Sequence, residues 1–268
     1  MKKSPEKFKK AQPSILILAP TRELAQQTAD ICEEMCRPCG LKSACVYGGV
    51  PKEPQVKLFR GGINVVIGTP GRLIDLMNDG VCRLGAVNYL VLDEADRMLD
   101  LGFEQDIRKL ISAVQKQRQT LMFSATWPES IQQLASEFLN NPVKIGVGST
   151  RLAANQNITQ VVEVLEDTAR DARLLQVLQM YWDQGMRRIL IFATHRKEVD
   201  RLQRVLTSRK WPVVALSGDR GQAERTRNLA EFKGGNAPIL VATDVAARGL
   251  DIPAVEVVIQ FAAPLTLE

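Results

Sequence analysis

The chain has 268 residues, room for two domains of about 130 residues each, and its 45% hydrophobic and 24% charged content is that of a globular protein rather than a disordered or fibrous one. No stretch approaches the ~20 apolar residues of a membrane span, and MKKSPEKFKKAQPS at the start lacks the apolar segment of a secretory signal, so a soluble intracellular protein is expected. The net charge of +5 permits an anionic partner such as nucleic acid without demanding one.

Short β-branched runs predict strands at Ser14 to Ala19, Ala44 to Tyr47, Ile63 to Ile67, Tyr89 to Leu92, Thr120 to Phe123 and Val143 to Val147. Helical spacing falls between them, at Thr21 to Met35, Gly71 to Met77 and Pro128 to Phe138. Strands apolar on both sides that alternate with helices imply a parallel sheet covered on both faces. The rhythm pauses in GVGSTRLAANQN, Gly146 to Asn157, which is polar and small and reads as a linker, assigned to 148–158. It resumes with Thr159 to Leu165, Arg188 to Ala193, Pro212 to Leu216, Ile239 to Ala242 and Val255 to Ile259. The halves echo one another: ILILAPTREL has a counterpart in ILIFATHRKEV, and VVIGTPGRLIDL in ILVATDVAARGLDI. One α/β fold used twice is therefore expected, with domains at 1–147 and 159–268. In such sheets ligands bind beyond the carboxyl ends of the strands, where these polar clusters fall.

Cys32, Cys36 and Cys39 have a spacing found in some iron–sulfur enzymes. The competing expectation is structural: Leu24, Ile31 and Met35 mark the buried side of a helix, Cys32 fits that side, and Pro38 and Gly40 end it. An odd cysteine count in an intracellular chain argues against a disulfide scaffold. His195, the only histidine, is expected to be a polar loop residue.

In LVLDEADRMLD an apolar strand breaks into Asp93, Glu94, Ala95 and Asp96. Carboxylates just past a buried strand are placed to hold hydrated magnesium and to take a proton from an attacking water. The plainer alternative is that Asp93 caps a helix that leads into a solvated acidic turn. The neighbouring motifs decide between them. PTRELAQQ, the Gly48–Gly49 pair, TPGRL, DEAD and SAT in the first half, then LIFATHR, GDRGQAER and ATDVAARGLDI in the second, resemble in order and spacing the DEAD-box family of ATP-dependent RNA helicases. The resemblance covers nearly the whole chain. GGVPK, SATWP and APLTLE look closer to a p68-like branch that includes a nucleolar ribosome-assembly member, which would imply the nucleus or nucleolus, with the cytoplasm as the alternative.

The resemblance implies two RecA-like domains that use ATP and Mg²⁺. Asp93 would act on the metal through water, Glu94 would activate the hydrolytic water, and Asp96 with Ser124 and Thr126 would couple the nucleotide site to domain movement. Gly249 and Asp251 match nucleotide contacts, with Arg248 in the same coupling segment. Pro20, Thr21, Arg22, Gly49, Thr69, Gly71 and Arg72, joined by Arg225 and Thr243, match residues that grip the RNA backbone. The physics agrees: Gly49 and Gly71 let main-chain N–H groups approach phosphate, helix starts after Thr21 and Gly71 favour anions, and Arg22 and Arg72 add charge. Such a grip is insensitive to base sequence, and the resemblance implies that it serves local duplex unwinding.

Two departures from the family pattern set a further expectation. The 268 residues contain no GxxxxGKT-type phosphate loop, and the sequence reaches APLTLE without an HRIGRTGR-type segment. An arginine of that kind is worth ~10³ to 10⁵ in phosphoryl-transfer rate. As written, this polypeptide is expected to hydrolyse ATP slowly or not at all, and the first domain to expose apolar sheet surface. A non-catalytic RNA-binding or scaffold role is the alternative.

Overall fold

The computed structural model describes residues 12–147, 157–218, 220–243 and 252–263. The chain divides into two compact units, one reaching Asn141 and the other beginning at Pro142.

Unit 1 is a five-stranded sheet, every pairing parallel, in the order β2-β3-β1-β4-β5. The strands are β1 (Ile15–Leu18), β2 (Ser43–Val46), β3 (Val65–Gly68), β4 (Tyr89–Leu92) and β5 (Gln119–Met122). Leu16, Val66, Leu90 and Ala44 stand in one register row, so they point to the same face. They are buried with Leu18, Val46 and Leu92 under α3 (Pro70–Asn78), α5 (Glu104–Ala113) and α6 (Glu129–Phe138). The opposite face, with Ile15, Ile17, Val65, Ile67 and Cys45, packs against α1 (Arg22–Cys36). Coverage of that face is uneven. On the same side, Val91 of β4 and Leu121 of the edge strand β5 are only half-buried, and Phe123 just beyond is 54% exposed.

Three helices of unit 1 are not among those expected from the sequence: α5, and α2 (Lys52–Leu58) and α4 (Ala95–Asp100), which are too brief to show a period. The face of α1 also differs from expectation. Ile31 and Met35 are 59% and 70% exposed, whereas Ala25, Ala29, Cys32 and Cys36 line the sheet. Both stripes have helical spacing and lie about 100° apart. Packing selects the stripe of small residues, which brings the helix close to the strands.

Unit 2 is a four-stranded parallel sheet in the order β7-β8-β6-β9, formed by β6 (Ile189–Ala193), β7 (Val213–Leu216), β8 (Ile239–Thr243) and β9 (Val257–Gln260). Ile189, Ile191, Ala215, Ile239 and Val241 pack beneath α7 (Arg170–Asp183) and α8 (Arg196–Ser208). α9 (Gln222–Lys233) packs against β7 and brings in the buried Phe232. Two expected strands are absent. Val143 to Val147 and Thr159 to Leu165 have no regular structure, and Val143, Ile145, Val147 and Val164 are at least 83% exposed. β propensity expresses itself only where a neighbouring strand and a packed face accept the run, and neither run pairs with a strand among the described residues. Residues 148–156 of the expected linker lie outside the described ones.

Candidate functional site

All strands of unit 1 are parallel, so the segments that follow them emerge at one edge of the sheet. Beyond β4, Asp93 N–H donates to Leu18 O at 3.0 Å, and Asp93 Oδ1 accepts the Glu94 N–H at 3.1 Å. Glu94 then turns the chain with φ 48° and ψ 57°, a left-handed conformation rare for a residue with a side chain and enriched where function holds it. Glu94, not Asp93, is the N-cap of α4, and its side chain makes no capping bond, so the capping alternative for Asp93 does not hold.

Asp96, one turn on, faces the segment beyond β5. Thr126 donates to Asp96 Oδ2 from both its backbone N–H and its Oγ1, each at 2.9 Å, and Arg97 N–H donates to Oδ1 at 2.9 Å. Ser124 Oγ donates to Thr126 O at 2.8 Å, while Ala95 N–H donates to Phe123 O at 2.9 Å. The DEAD and SAT turns are thus one hydrogen-bonded body. Phe123, whose carbonyl joins them, is a participant the motif reading missed, although an apolar residue placed just past a strand was visible in LMFSAT.

Burial pushes the Asp93 carboxyl above its ordinary range, and the bond from the Glu94 amide opposes that shift. The second oxygen has no hydrogen-bond or ion-pair partner among the described residues. A half-buried carboxylate with an unused oxygen is costly alone and suits a hydrated cation. Among the described residues no cluster of three acidic, histidine or cysteine side chains could hold a metal directly.

The remaining predicted residues of unit 1 line the same edge. Thr21 caps α1, its Oγ1 accepting the Leu24 N–H at 3.2 Å. α3 starts at Pro70 behind Thr69, one residue earlier than expected, which makes Gly71 the second residue of the helix. Gly49 is left-handed at φ 77°, and a β-carbon there would lie 2.4 Å from the Arg22 guanidinium. The missing β-carbon of Gly49 therefore leaves room for the Arg22 guanidinium. Gly71 is exposed and open, and a β-carbon there would meet nothing within 4 Å. Arg72 Nη2 donates to Val50 O at 2.9 Å, Asp75 lies 3.7 Å from its Nε, and its buried Nη1 has no protein acceptor. An orphaned guanidinium donor is what an anion would satisfy. Pro20 is buried where β1 enters α1.

In unit 2, Thr243 is buried at the end of β8, and Arg225 is half-buried on α9. Arg248, Gly249 and Asp251 lie outside the described residues. His195 is an exposed N-cap of α8 without a side-chain capping bond, in keeping with a loop residue. The cysteines serve packing: Cys32 and Cys36 sit in the cluster beneath α1, Cys39 is exposed, and burial pushes the Cys45 and Cys82 thiols up to about 12. That divergence does not suit a shared cluster.

Comparison with known proteins agrees with this arrangement. Residues 2–134 match the DEAD/DEAH box helicase family, and residues 169–268 match the helicase conserved C-terminal domain. The chain is 53% identical over 261 residues to DEAD-box ATP-dependent RNA helicase 5 of Arabidopsis thaliana, covering 97% of this chain and 49% of that protein. It is 50% identical over 267 residues to ATP-dependent RNA helicase dbp3 of Schizosaccharomyces pombe, covering 97% and 46%. A structure of S. cerevisiae Dbp5 bound to RNA and ADP BeF3 superposes with a TM-score of 0.82 at 27% identity, covering 97% of this chain and 65% of that one. The chain spans about half the length of the curated relatives it matches. Two helix-covered parallel sheets of the RecA-like kind, a DEAD turn bonded to a SAT turn, and relatives that match along almost every residue leave one assignment: the chain belongs to the DEAD-box helicase family.

Proposed function

We propose that this chain is the RNA-gripping and water-activating part of an ATP-dependent RNA helicase, which couples ATP binding and hydrolysis to local separation of RNA strands. The observation that carries the reading is the double bond pattern from Thr126 to Asp96, which fuses the acidic turn to the neighbouring strand exit. A change felt at one turn must reach the other. Asp93 would hold magnesium through water, and Glu94 would take the proton from the attacking water. When bound with ATP, the metal supplies charge neutralisation at the phosphates. Asp96, Ser124 and Thr126 would carry coupling, while Arg248, Gly249 and Asp251 would contact nucleotide from the second domain. Pro20, Thr21, Arg22, Gly49, Thr69, Gly71 and Arg72, with Arg225 and Thr243, would hold the sugar–phosphate backbone.

The domain limits go with this reading: 1–147 and 159–268, joined by 148–158. Likeness to ATP-dependent RNA helicases, and to Dbp5 bound to RNA and ADP BeF3, supports ATP and RNA as ligands. A nucleolar place and a part in ribosome assembly are proposed on the branch resemblance. Because no GxxxxGKT-type loop lies among these 268 residues, we propose that the polypeptide by itself turns ATP over slowly. Its retained activity would then be RNA binding, which is the second reading.

ATP turnover with and without single-stranded RNA, beside Glu94→Gln, tests both. Loss of a positioned general base costs about 10² to 10⁴ in rate, so any RNA-stimulated turnover should vanish in the variant while salt-sensitive RNA binding persists. Equal turnover in the two proteins would refute the role of Glu94. Absence of RNA binding would refute the grip.

A further inference from the structure

The Gly48–Gly49 turn leaves β2, which is an edge strand of the unit 1 sheet. Val46 O accepts the Thr69 N–H at 3.1 Å from beyond β3. The backbone groups of the next residue, Tyr47, therefore face the other side, where no strand pairs with β2 among the described residues. Edge groups of this kind, followed by two glycines, leave a strand end with little to hold it.

Gln55 supplies the missing bonds. It is the one buried residue of α2, at 6% exposure, although its side chain is polar. A buried amide is costly unless it is bonded, and this one is bonded through both of its ends. Gln55 Oε1 accepts the Tyr47 N–H at 3.2 Å, and Gln55 Nε2 donates to Tyr47 O at 3.0 Å. The side-chain amide thus stands to Tyr47 as a further strand would. Other side chains tie the same region: Gln26 Nε2 of α1 donates to Tyr47 Oη at 2.8 Å, and Lys52 Nζ pairs with Asp75 and Asp79 of α3 at 3.0 and 2.6 Å. Of these ties, only the Gln55 pair grips the main chain just before the glycines. Two guanidinium groups depend on where the turn sits. Arg72 finds its acceptor at Val50 O, 2.9 Å away, and Arg22 lies over Gly49.

We propose that Gln55 is a positioning residue for the RNA grip: it fixes residues 48–50 from the open edge of the sheet and so holds Arg72 and Arg22 where phosphates meet them. The inference rests on the proposed grip, and Gln55 itself touches no RNA. Without the amide pair the turn shifts and Val50 O leaves Arg72. Arg72 then closes on Asp75, which already lies 3.7 Å from its Nε, and an internal ion pair replaces the phosphate contact.

The test is binding of labelled single-stranded oligouridylate to the 268-residue chain over a range of salt concentrations, with urea unfolding of each variant beside it. Arg72→Ala should weaken binding about tenfold and lower the slope of log affinity against log salt by about one. Gln55→Met keeps the volume and removes both bonds, and it should produce most of the same loss and the same flatter slope although residue 55 carries no charge. Gln55→Asn, whose amide is a methylene too short to reach Tyr47, should behave alike with polarity retained. The Gln55→Met/Arg72→Ala double variant should bind little worse than Arg72→Ala alone. A lower unfolding midpoint with RNA affinity and slope unchanged in both Gln55 variants makes the residue purely structural and overturns the proposal. Losses that multiply in the double variant overturn it as well. If Arg72→Ala itself leaves affinity and slope unaltered, the grip falls, and the role of Gln55 falls with it.

Discussion

Beside the central strand, both units end a neighbour in the same way. Asp93 N–H donates to Leu18 O at 3.0 Å beyond β4, and Phe261 N–H donates to Phe192 O at 2.9 Å beyond β9. The strand orders β2-β3-β1-β4 and β7-β8-β6-β9 make these positions equivalent. The side chains differ in kind. Phe261 is 9% exposed, belongs to the unit 2 core and lies beneath the Arg201 guanidinium at 5.5 Å. Asp93 is a half-buried carboxylate with one amide donor. The repeat fixes the backbone at that point. A single polar residue, in a place the fold can equally fill with an aromatic ring, turns packing into chemistry at some cost in stability.

That contrast is most sharply tested by opposite stability changes. Phe261→Ala should destabilise unit 2 by about 3 kcal/mol, the usual cost of emptying a buried aromatic site, read by urea unfolding. Asp93→Asn should instead stabilise unit 1 while removing any ATP turnover. The sign follows from burial: the folded pKa of Asp93 lies above its unfolded value, so the ionised carboxylate destabilises the fold at neutral pH. The penalty is relieved as pH falls through the folded pKa. The advantage of Asp93→Asn should therefore shrink on acidification and disappear below the unfolded pKa. A variant no more stable than the parent at neutral pH would show that Asp93 carries no desolvation penalty.

The next contrast lies between two glycines. Arg22 opens α1 and occupies the space over left-handed Gly49, whereas Arg196 opens α8 and stands 3.7 Å from where a β-carbon of Gly218 would be. Gly49→Ala should cost about 1–2 kcal/mol in left-handed strain alone. It should also displace Arg22 and weaken RNA binding about tenfold, as expected when a charged phosphate contact is lost. Gly218→Ala should change stability by under about 0.5 kcal/mol. Equal effects in the two units would mean that the Arg22–Gly49 contact is incidental.

Much of this was legible in the sequence. Nine expected strands are present, because each is an apolar or β-branched run that finds a parallel strand to pair with. Val143 to Val147 and Thr159 to Leu165 have the same composition and no strand partner, and composition does not encode partners. The acidic turn was found from its residues, yet the left-handed Glu94 was not, since only glycine advertises that conformation. Ile31 and Met35 misled for a related reason: a helix with two apolar stripes leaves the choice to what it packs against.

The smallest effect concerns how the echoed segments PTREL and THRKEV start their helices. In the first, the Thr21 hydroxyl accepts the Leu24 N–H at 3.2 Å. In the second, the threonine falls one place earlier, His195 is the N-cap without a side-chain bond, and Glu198 reaches back to accept the Thr194 N–H at 3.1 Å. Each helix start satisfies one donor, by a hydroxyl reaching forward or a carboxylate reaching back. Thr21→Ala should then cost about 1 kcal/mol, and Glu198→Ala about 0.5 kcal/mol because its bond reaches the residue before the cap, not an N–H of the helix itself. His195→Ala should leave the unfolding midpoint where it was. If His195→Ala destabilised unit 2 as much as Thr21→Ala destabilises unit 1, the echo would extend to the cap itself, and Glu198 would be the bystander.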